Sequence, residues 1–180
     1  VFVSDLARRL LEESYLEGDF ILSSGRRSKF YLDKYLFETS PDLLRDIARA
    51  LVAKLPAYEP FDLLAGPELG AVPLVAAMSL ESGKRFVIVR KEEKGYGTRR
   101  LLEGRFERGQ SVVAVEDVVT SGGQAVAAAR LLGEAGLEVK GMLCVVDREQ
   151  GGADLLTAEG FGLDPLFTAS QLGIKVKIEG

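Results

Sequence analysis

Between Ser111 and Arg130 the chain reads SVVAVEDVVTSGGQAVAAAR, and few folds accommodate that order of residues. Val112 to Val115 is an apolar β-branched run of the kind that fills a buried strand. Glu116 and Asp117 follow it as adjacent carboxylates. A loop of small and hydroxylic residues comes next, Thr120-Ser121-Gly122-Gly123, and an Ala-rich helix is predicted from about 124 to 133. In an open α/β sheet, ligands bind beyond the carboxyl ends of the strands, which is where such a loop sits. Glycines let backbone approach an anion, and the first free N–H groups of a helix point at it with the favourable end of the dipole. The loop therefore suits a phosphate. Two acids beside a phosphate would repel it unless they hold something else, such as sugar hydroxyls or a hydrated divalent cation. The Lys of a G-x-x-x-x-G-K-[ST] loop is missing, and there is no G-x-G-x-x-G, so neither a triphosphatase nor a dinucleotide site is expected. The plainer alternative is an ordinary strand–turn–helix with a solvated acidic pair.

The rest of the chain alternates strand and helix as a parallel sheet requires. A helix is expected over residues 3 to 16, capped by Ser4 and ended by Gly18, followed by a short strand at 20–22. Pro41 to Leu55 is amphipathic, with Ser40 as its cap. A strand at 61–65 runs into Gly66-Pro67-Glu68-Leu69-Gly70, a second glycine-containing strand-to-helix loop. The helix after it, from about 71 to 82, is apolar almost all round and so expected in a core. Further strands are read at 86–89, 137–146 and 163–167, with a short helix at 154–159 and a helical tail from Thr168. Residues 90–104, RKEEKGYGTRRLLEG, carry five basic residues and three glycines, and read as a mobile loop. Arg148 emerges from the end of a strand, where a guanidinium can grip a planar acid bidentately or simply form a surface ion pair.

At 180 residues one domain is the simplest reading. The net charge of −4 argues against a general nucleic-acid binder. There is no histidine, which removes Ser-His-Asp catalysis and most catalytic zinc sites. The single cysteine, Cys144, lies in an apolar run and cannot form an internal disulfide, which fits a core position in a reducing compartment. No apolar run approaches a membrane span, and the N-terminus lacks a signal peptide's basic-then-apolar order, so a cytoplasmic protein is expected.

VVAVEDVVTSGG resembles the phosphoribosyl pyrophosphate (PRPP) motif of type I phosphoribosyltransferases. That resemblance implies a 5′-phosphate held along Val118, Val119, Thr120, Ser121, Gly122, Gly123 and Gln124, with Glu116 and Asp117 near the ribose hydroxyls. Ser24-Gly25-Arg26-Arg27-Ser28-Lys29-Phe30-Tyr31-Leu32-Asp33 is similar to a signature near the start of orotate phosphoribosyltransferases. There it forms a small hood whose aromatic part, here Phe30 and Tyr31, lies near the pyrimidine. Arg90-Lys91-x-x-Lys94-x-Tyr96-Gly97 resembles the loop that closes over PRPP in the same family, and Asp147-Arg148-Glu149 resembles the segment whose arginine contacts orotate, with Thr120 nearby. Glu68, Leu69 and Gly70 fall where the family binds pyrophosphate. Where many members carry Lys, Lys and His, this chain has Ser23, Leu69 and Tyr96, and Arg26 or Arg27 would substitute for the first.

The resemblance implies a Rossmann-like α/β fold with about five parallel strands, helices on both faces and a hood contributed by residues 1–35 or so. It implies transfer from PRPP to orotate, giving orotidine 5′-monophosphate and pyrophosphate in pyrimidine synthesis. Lys94 and Asp117 would be catalytic, Mg²⁺ would be carried mainly by PRPP rather than by protein ligands, and the protein would be a homodimer with no nucleic-acid or membrane partner. Two alternatives stand beside it. A purine phosphoribosyltransferase would have no carboxylate for Arg148 to grip, and a non-catalytic PRPP-binding regulator would have no use for the Lys91 and Lys94 loop.

Overall fold

The structure is a computed structural model and describes residues 3–21, 27–91 and 101–174. The expectations at Leu22, Ser23 to Arg26, Lys94, Tyr96 and Gly97 lie outside these residues, as does the side chain of Ser4. Helix α1 (Val3–Ser14) leads directly into strand β1 (Tyr15–Ile21), which pairs antiparallel with β2 (Arg27–Leu32). The helix is thus shorter than its pattern predicts. Tyr15 pairs with Leu32 instead of adding a turn, and stacks on Phe30 with ring centroids 5.7 Å apart. Gly18 sits inside the strand, where the register slips between Glu17 and Phe20.

A six-residue helix, α2 (Lys34–Thr39), follows at once, and the sequence pattern did not predict it. Asp33 caps it by accepting a hydrogen bond from the Tyr35 N–H at 3.1 Å. Helix α3 (Pro41–Val52) has Pro41 in its first turn, and Leu43, Ile47 and Leu51 fall four apart on its buried face. It stops before Leu55, which belongs to a short 3₁₀ turn, Leu55–Tyr58. Strand β3 (Leu63–Pro67), α4 (Ala71–Ser82) and β4 (Arg85–Val89) form one right-winding unit. Strand β6 (Ser111–Val119), α5 (Gly123–Glu134), β7 (Glu138–Asp147), α6 (Gly152–Ala158) and β8 (Leu163–Thr168) continue the alternation in the other direction. Between the two lies β5 (Leu102–Glu103), an antiparallel edge strand within the stretch expected to be all loop. Leu102 is buried there, and Val89 is its strand partner.

The sheet order is β5-β4-β3-β6-β7-β8, with β4, β3, β6, β7 and β8 mutually parallel. Alternation along each strand sends Leu64, Val113, Val115, Leu143 and Val145 to a core shared with α1 to α4, and Leu63, Val112, Ala114, Met142 and Cys144 to a core shared with α5 and α6. Each such side chain, taken out of water, contributes on the order of 1.5–3 kcal/mol. Cys144 is fully buried, and burial raises its thiol pKa well above the ordinary value. Helix α4 is less enclosed than its apolar sequence predicts. Leu74, Val75 and Met78 are buried, but Leu80 is 88% exposed. The tail after Thr168 makes turns rather than a helix as far as Ile174, and Ala169, Leu172 and Ile174 pack into the core that holds Leu6, Leu10 and Leu32 under the hairpin. Among the described residues, no helix is long and apolar enough to cross a membrane.

Chain direction reverses between β3 and β6. β3 connects outward to β4, and β6 connects the other way to β7, so their carboxyl ends open a crevice at the centre of the sheet.

Candidate active site

A cleft of about 720 Å³ opens over that crevice, roofed by Phe20, Ile21 and Tyr31 of the hairpin and floored by the end of β6 and the start of α5. Its size suits a nucleotide-sized ligand. Thr120, Ser121, Gly122, Gly123 and Gln124 all line it, with Val118 and Val119 beside them. Gly122 has φ +83°, and a β-carbon there would lie 2.9 Å from the backbone of Gly152, so only glycine lets the loop lie against α6. A β-carbon on Gly123 would meet nothing within 4 Å. The amino end of α5 therefore faces open space, as an anion cradle requires.

The carboxylate pair differs from its expected setting. Strand β6 runs on to Val119, so Glu116 and Asp117 lie within it rather than after it, and strand alternation sends them to opposite faces. Glu116 lines the cleft, and burial, reinforced by Asp117, pushes its carboxyl up to about 8. Asp117 points the other way, towards the hood side. It accepts the Val118 N–H at 2.5 Å and pairs with Lys34 Nζ at 2.6 Å. Lys34 is on α2, and nothing in the sequence pattern distinguished it from the surface lysines around it. Beside them Glu38 is 2% exposed; no donor reaches its carboxyl oxygens, and the carboxyl lies within hydrogen-bond reach of Asp117. Burial first, then the charge of Asp117, raises its carboxyl to about 8.

The second glycine loop adjoins this pair. A β-carbon on Gly70 would fall 1.6 Å from Asp117 Oδ2 and 2.9 Å from Lys34 Nζ. Glu68 and Leu69 precede it, joined by a cis peptide bond, and Leu69 is 66% exposed. The Glu68 carboxylate accepts the Lys91 N–H at 2.9 Å and lies 3.6 Å from the Arg90 guanidinium. Lys91 itself lines the cleft; Glu68, Leu69, Gly70 and Arg90 are not among its lining residues.

Arg148 closes the far end. Its backbone N–H donates to the Val119 carbonyl at 2.8 Å, which ties the end of β7 to the end of β6. The guanidinium lines the cleft over the ring of Phe30, 5.0 Å from its centroid, and is almost wholly buried. Its Nε has no hydrogen-bond partner, and burial lowers its pKa. A buried guanidinium with an unmet donor is costly until an acceptor arrives, and a carboxylate supplies one. Thr120 and Tyr31 line the same cleft.

A doubly wound sheet with a carboxylate pair and two glycine loops at its switch point defines a class of protein, an open α/β fold that receives a phosphate-bearing ligand beyond its strand ends. Residues 37–161 match the family model described as phosphoribosyl transferase domain. The chain is 49% identical over 155 residues to an orotate phosphoribosyltransferase of Methanocella arvoryzae, covering 86% of this chain and 87% of that one. It is 45% identical over 172 residues to the orotate phosphoribosyltransferase of Pyrococcus furiosus, 93% of each. Among solved structures, orotate phosphoribosyltransferase from Mycobacterium tuberculosis H37Rv in complex with PRPP superposes with TM-score 0.80 at 30% identity, covering 95% of this chain and 98% of that one. The chain belongs to the orotate phosphoribosyltransferase family. Its activity is that family's pentosyl transfer from PRPP to orotate, a step of pyrimidine nucleotide synthesis.

Proposed function

We propose that the cleft holds both substrates at once, with each end of PRPP on a different glycine loop. The 5′-phosphate would sit on the Thr120–Gln124 cradle and the ribose hydroxyls against Glu116 and Asp117. Pyrophosphate would lie at Glu68-Leu69-Gly70, with Arg90, Lys91, Lys94 and Tyr96 closing from the following loop. Orotate would lie between Phe30, Tyr31 and Thr120, its carboxylate on Arg148. The observation that carries this reading is Arg148, a cleft-lining guanidinium over Phe30 whose buried Nε has no hydrogen-bond partner. A purine has no carboxylate to satisfy it.

In this arrangement the orotate ring nitrogen forms its bond to the anomeric carbon as the carbon–oxygen bond breaks. The electron pair leaves on pyrophosphate, and the ring nitrogen gives up its proton. Positive charge builds on the sugar, where the Asp117 carboxylate paired with Lys34 would favour it. Lys94 and Lys91 would neutralise charge on the departing group, and the closed loop would keep water from the anomeric carbon.

The donor set fits a metal carried by the substrate. Among the described residues, no three Asp, Glu, Cys or His side chains are placed to hold an ion, so Mg²⁺ would enter on PRPP, with Glu116 and Asp117 accepting hydrogen bonds from its waters. When bound it neutralises charge on the leaving oxygens. A homodimer and a cytoplasmic setting complete the proposal, and sedimentation at micromolar concentration tests the former.

The decisive assay follows orotate absorbance with PRPP and Mg²⁺, alongside adenine, hypoxanthine and uracil. Loss of orotate alone is expected. Turnover of a purine in its place would overturn the Arg148 assignment, and PRPP binding without turnover of any base would favour a regulator.

A further inference from the structure

We propose that Lys34 supplies a further cation to the pyrophosphate subsite, from the side of the 66–70 loop, exchanging its bond to Asp117 for the diphosphate when PRPP binds. The proposal rests on the assignment of the Glu68–Gly70 loop to pyrophosphate made above. Three observations lead to it. The first is position: Lys34 Nζ lies 2.6 Å from the Asp117 carboxylate and directly beside Gly70, where a β-carbon would fall 1.6 Å from Asp117 Oδ2 and 2.9 Å from Nζ. Only glycine at position 70 lets the Lys34–Asp117 pair lie against the loop.

The second is charge. A diphosphate brings several negative charges, and the 66–70 loop meets it with no cation of its own. Its single ionisable side chain is Glu68, an acid already engaged with Arg90 and the Lys91 N–H. The exposed Leu69 adds nothing polar. A loop of backbone amides binds such a group weakly unless a positive side chain comes from elsewhere, and Lys34 is the ammonium that α2 delivers to it.

The third is freedom to move. The Lys34 side chain is 31% exposed and lines the cleft, whereas the Asp117 side chain it pairs with is 4% exposed. Asp117 faces the ammonium from β6, and Tyr35 and Glu38 from its own helix α2. Burial opposes its charge, but the hydrogen bond and charge of Asp117, with Tyr35 and Glu38, outweigh that and hold its pKa above the ordinary value. It therefore stays protonated and ready to change partners on a flexible stem. The exchange uncovers Asp117, whose oxygens then need donors, and ribose hydroxyls provide them. PRPP satisfies both groups at once; pyrophosphate or ribose 5-phosphate alone satisfies one.

Calorimetric titration with magnesium pyrophosphate and, separately, ribose 5-phosphate tests this. Lys34→Met should weaken pyrophosphate by about tenfold or more, the range for a lost charged hydrogen bond, and ribose 5-phosphate by less than about threefold. Because Lys34→Met strips a buried carboxylate of its partner, the same step is repeated in an Asp117→Asn background, which carries no such charge. Asp117→Asn alone frees Lys34 and should bind pyrophosphate at least as well as the parent, and adding Lys34→Met should then lose about tenfold. Leu69→Lys should restore pyrophosphate affinity to the Lys34→Met protein. Equal weakening of both ligands, or no weakening in either background, would overturn the proposal. A pyrophosphate affinity that answers to Leu69→Lys but ignores Lys34→Met would discard the lysine and keep the loop. One that ignores both would discard the loop's assignment as well.

Discussion

The loop from β6 to α5 and the loop from β3 to α4 leave neighbouring strands at the same edge of the sheet, yet their glycines face opposite surroundings. Gly123 looks into empty space and Gly122 into the backbone of Gly152, so the first loop is a cradle made wholly of backbone and supported from behind. Gly70 instead meets a side-chain carboxylate and an ammonium within a bond length or two of where its own side chain would be. The first loop suits a phosphate monoester, whose charge a helix terminus and free amides can hold. The second has beside it charged side chains from a strand and a helix that are not its own, which suits the more highly charged pyrophosphate proposed for it. An anion site can thus be assembled within one contiguous motif or across three elements distant in sequence.

The sharpest way to break this comparison is to add one methyl group to each loop. Gly70→Ala drives a β-carbon into Asp117 and must displace the Asp117–Lys34 pair. Turnover per PRPP bound should fall by about a hundredfold or more, equivalent to roughly 2.7 kcal/mol of lost transition-state stabilisation. Gly123→Ala displaces no protein group but enters the space assigned to the 5′-phosphate, so it should raise the Michaelis constant for PRPP while turnover stays within about threefold of the parent, a change of well under 1 kcal/mol. Steady-state kinetics with PRPP varied at saturating orotate reads both. Equal effects would mean the two loops are not built differently.

The same contrast explains what could be read from the sequence. The β6–α5 cradle is contiguous, and so are the apolar runs of β3, β4 and β7. The alternation of strand and helix, the glycine loop after β6 and the emergence of Arg148 from β7 were therefore legible. What was hidden lies in short or composite structure. Helix α2 has only six residues, too few for a helical period, although Asp33 as a cap and Phe37 as a wholly buried anchor were available signals. Lys34 follows Arg26, Arg27 and Lys29, and reads as one more surface charge until the fold brings it to Asp117. Strand β6 outran its apolar core because Glu116 and Asp117 keep strand geometry despite their charge, and that extension is what separates them onto two faces. β5 consists of two residues held by β4, and Tyr15 was decided by pairing with Leu32 rather than by the helical spacing it also satisfies.

Arg148 offers a smaller perturbation, because it touches neither phosphate loop. Arg148→Ala should raise the Michaelis constant for orotate by about thirtyfold, the effect of losing roughly 2 kcal/mol from a charged hydrogen bond, and leave that for PRPP within about threefold. Arg148→Lys should recover little, since an ammonium cannot reproduce the planar fork over Phe30. A change confined to PRPP would move Arg148 out of the base site and into one of the phosphate ends. In that event the site would have three anion-binding elements and no assigned place for the pyrimidine.

The smallest effect concerns two buried acids, Glu38 beside the composite loop and Glu116 in the cleft. Glu38 and Glu116 are both raised from an ordinary value of 4.5 to about 8, by burial before any charge effect. A carboxyl whose pKa is higher folded than unfolded binds more protons in the native state between those two values. Its stabilising contribution is complete below about 4.5 and is lost as the pH rises towards 8. Thermal stability of the unliganded protein should therefore decline across that window. Glu38→Gln removes one of the two groups and should flatten the decline, by about 2–4 °C for each kcal/mol removed. An amide in so dry a place brings its own unmet donors, which offsets the whole curve by an amount that does not vary with pH. The slope of melting temperature against pH is thus the quantity to compare, not its height. Parallel slopes for the two proteins would mean that Glu38 is ionised alongside Asp117 throughout. Lys34 would then be held by two carboxylates rather than one, and its exchange onto pyrophosphate would be correspondingly harder.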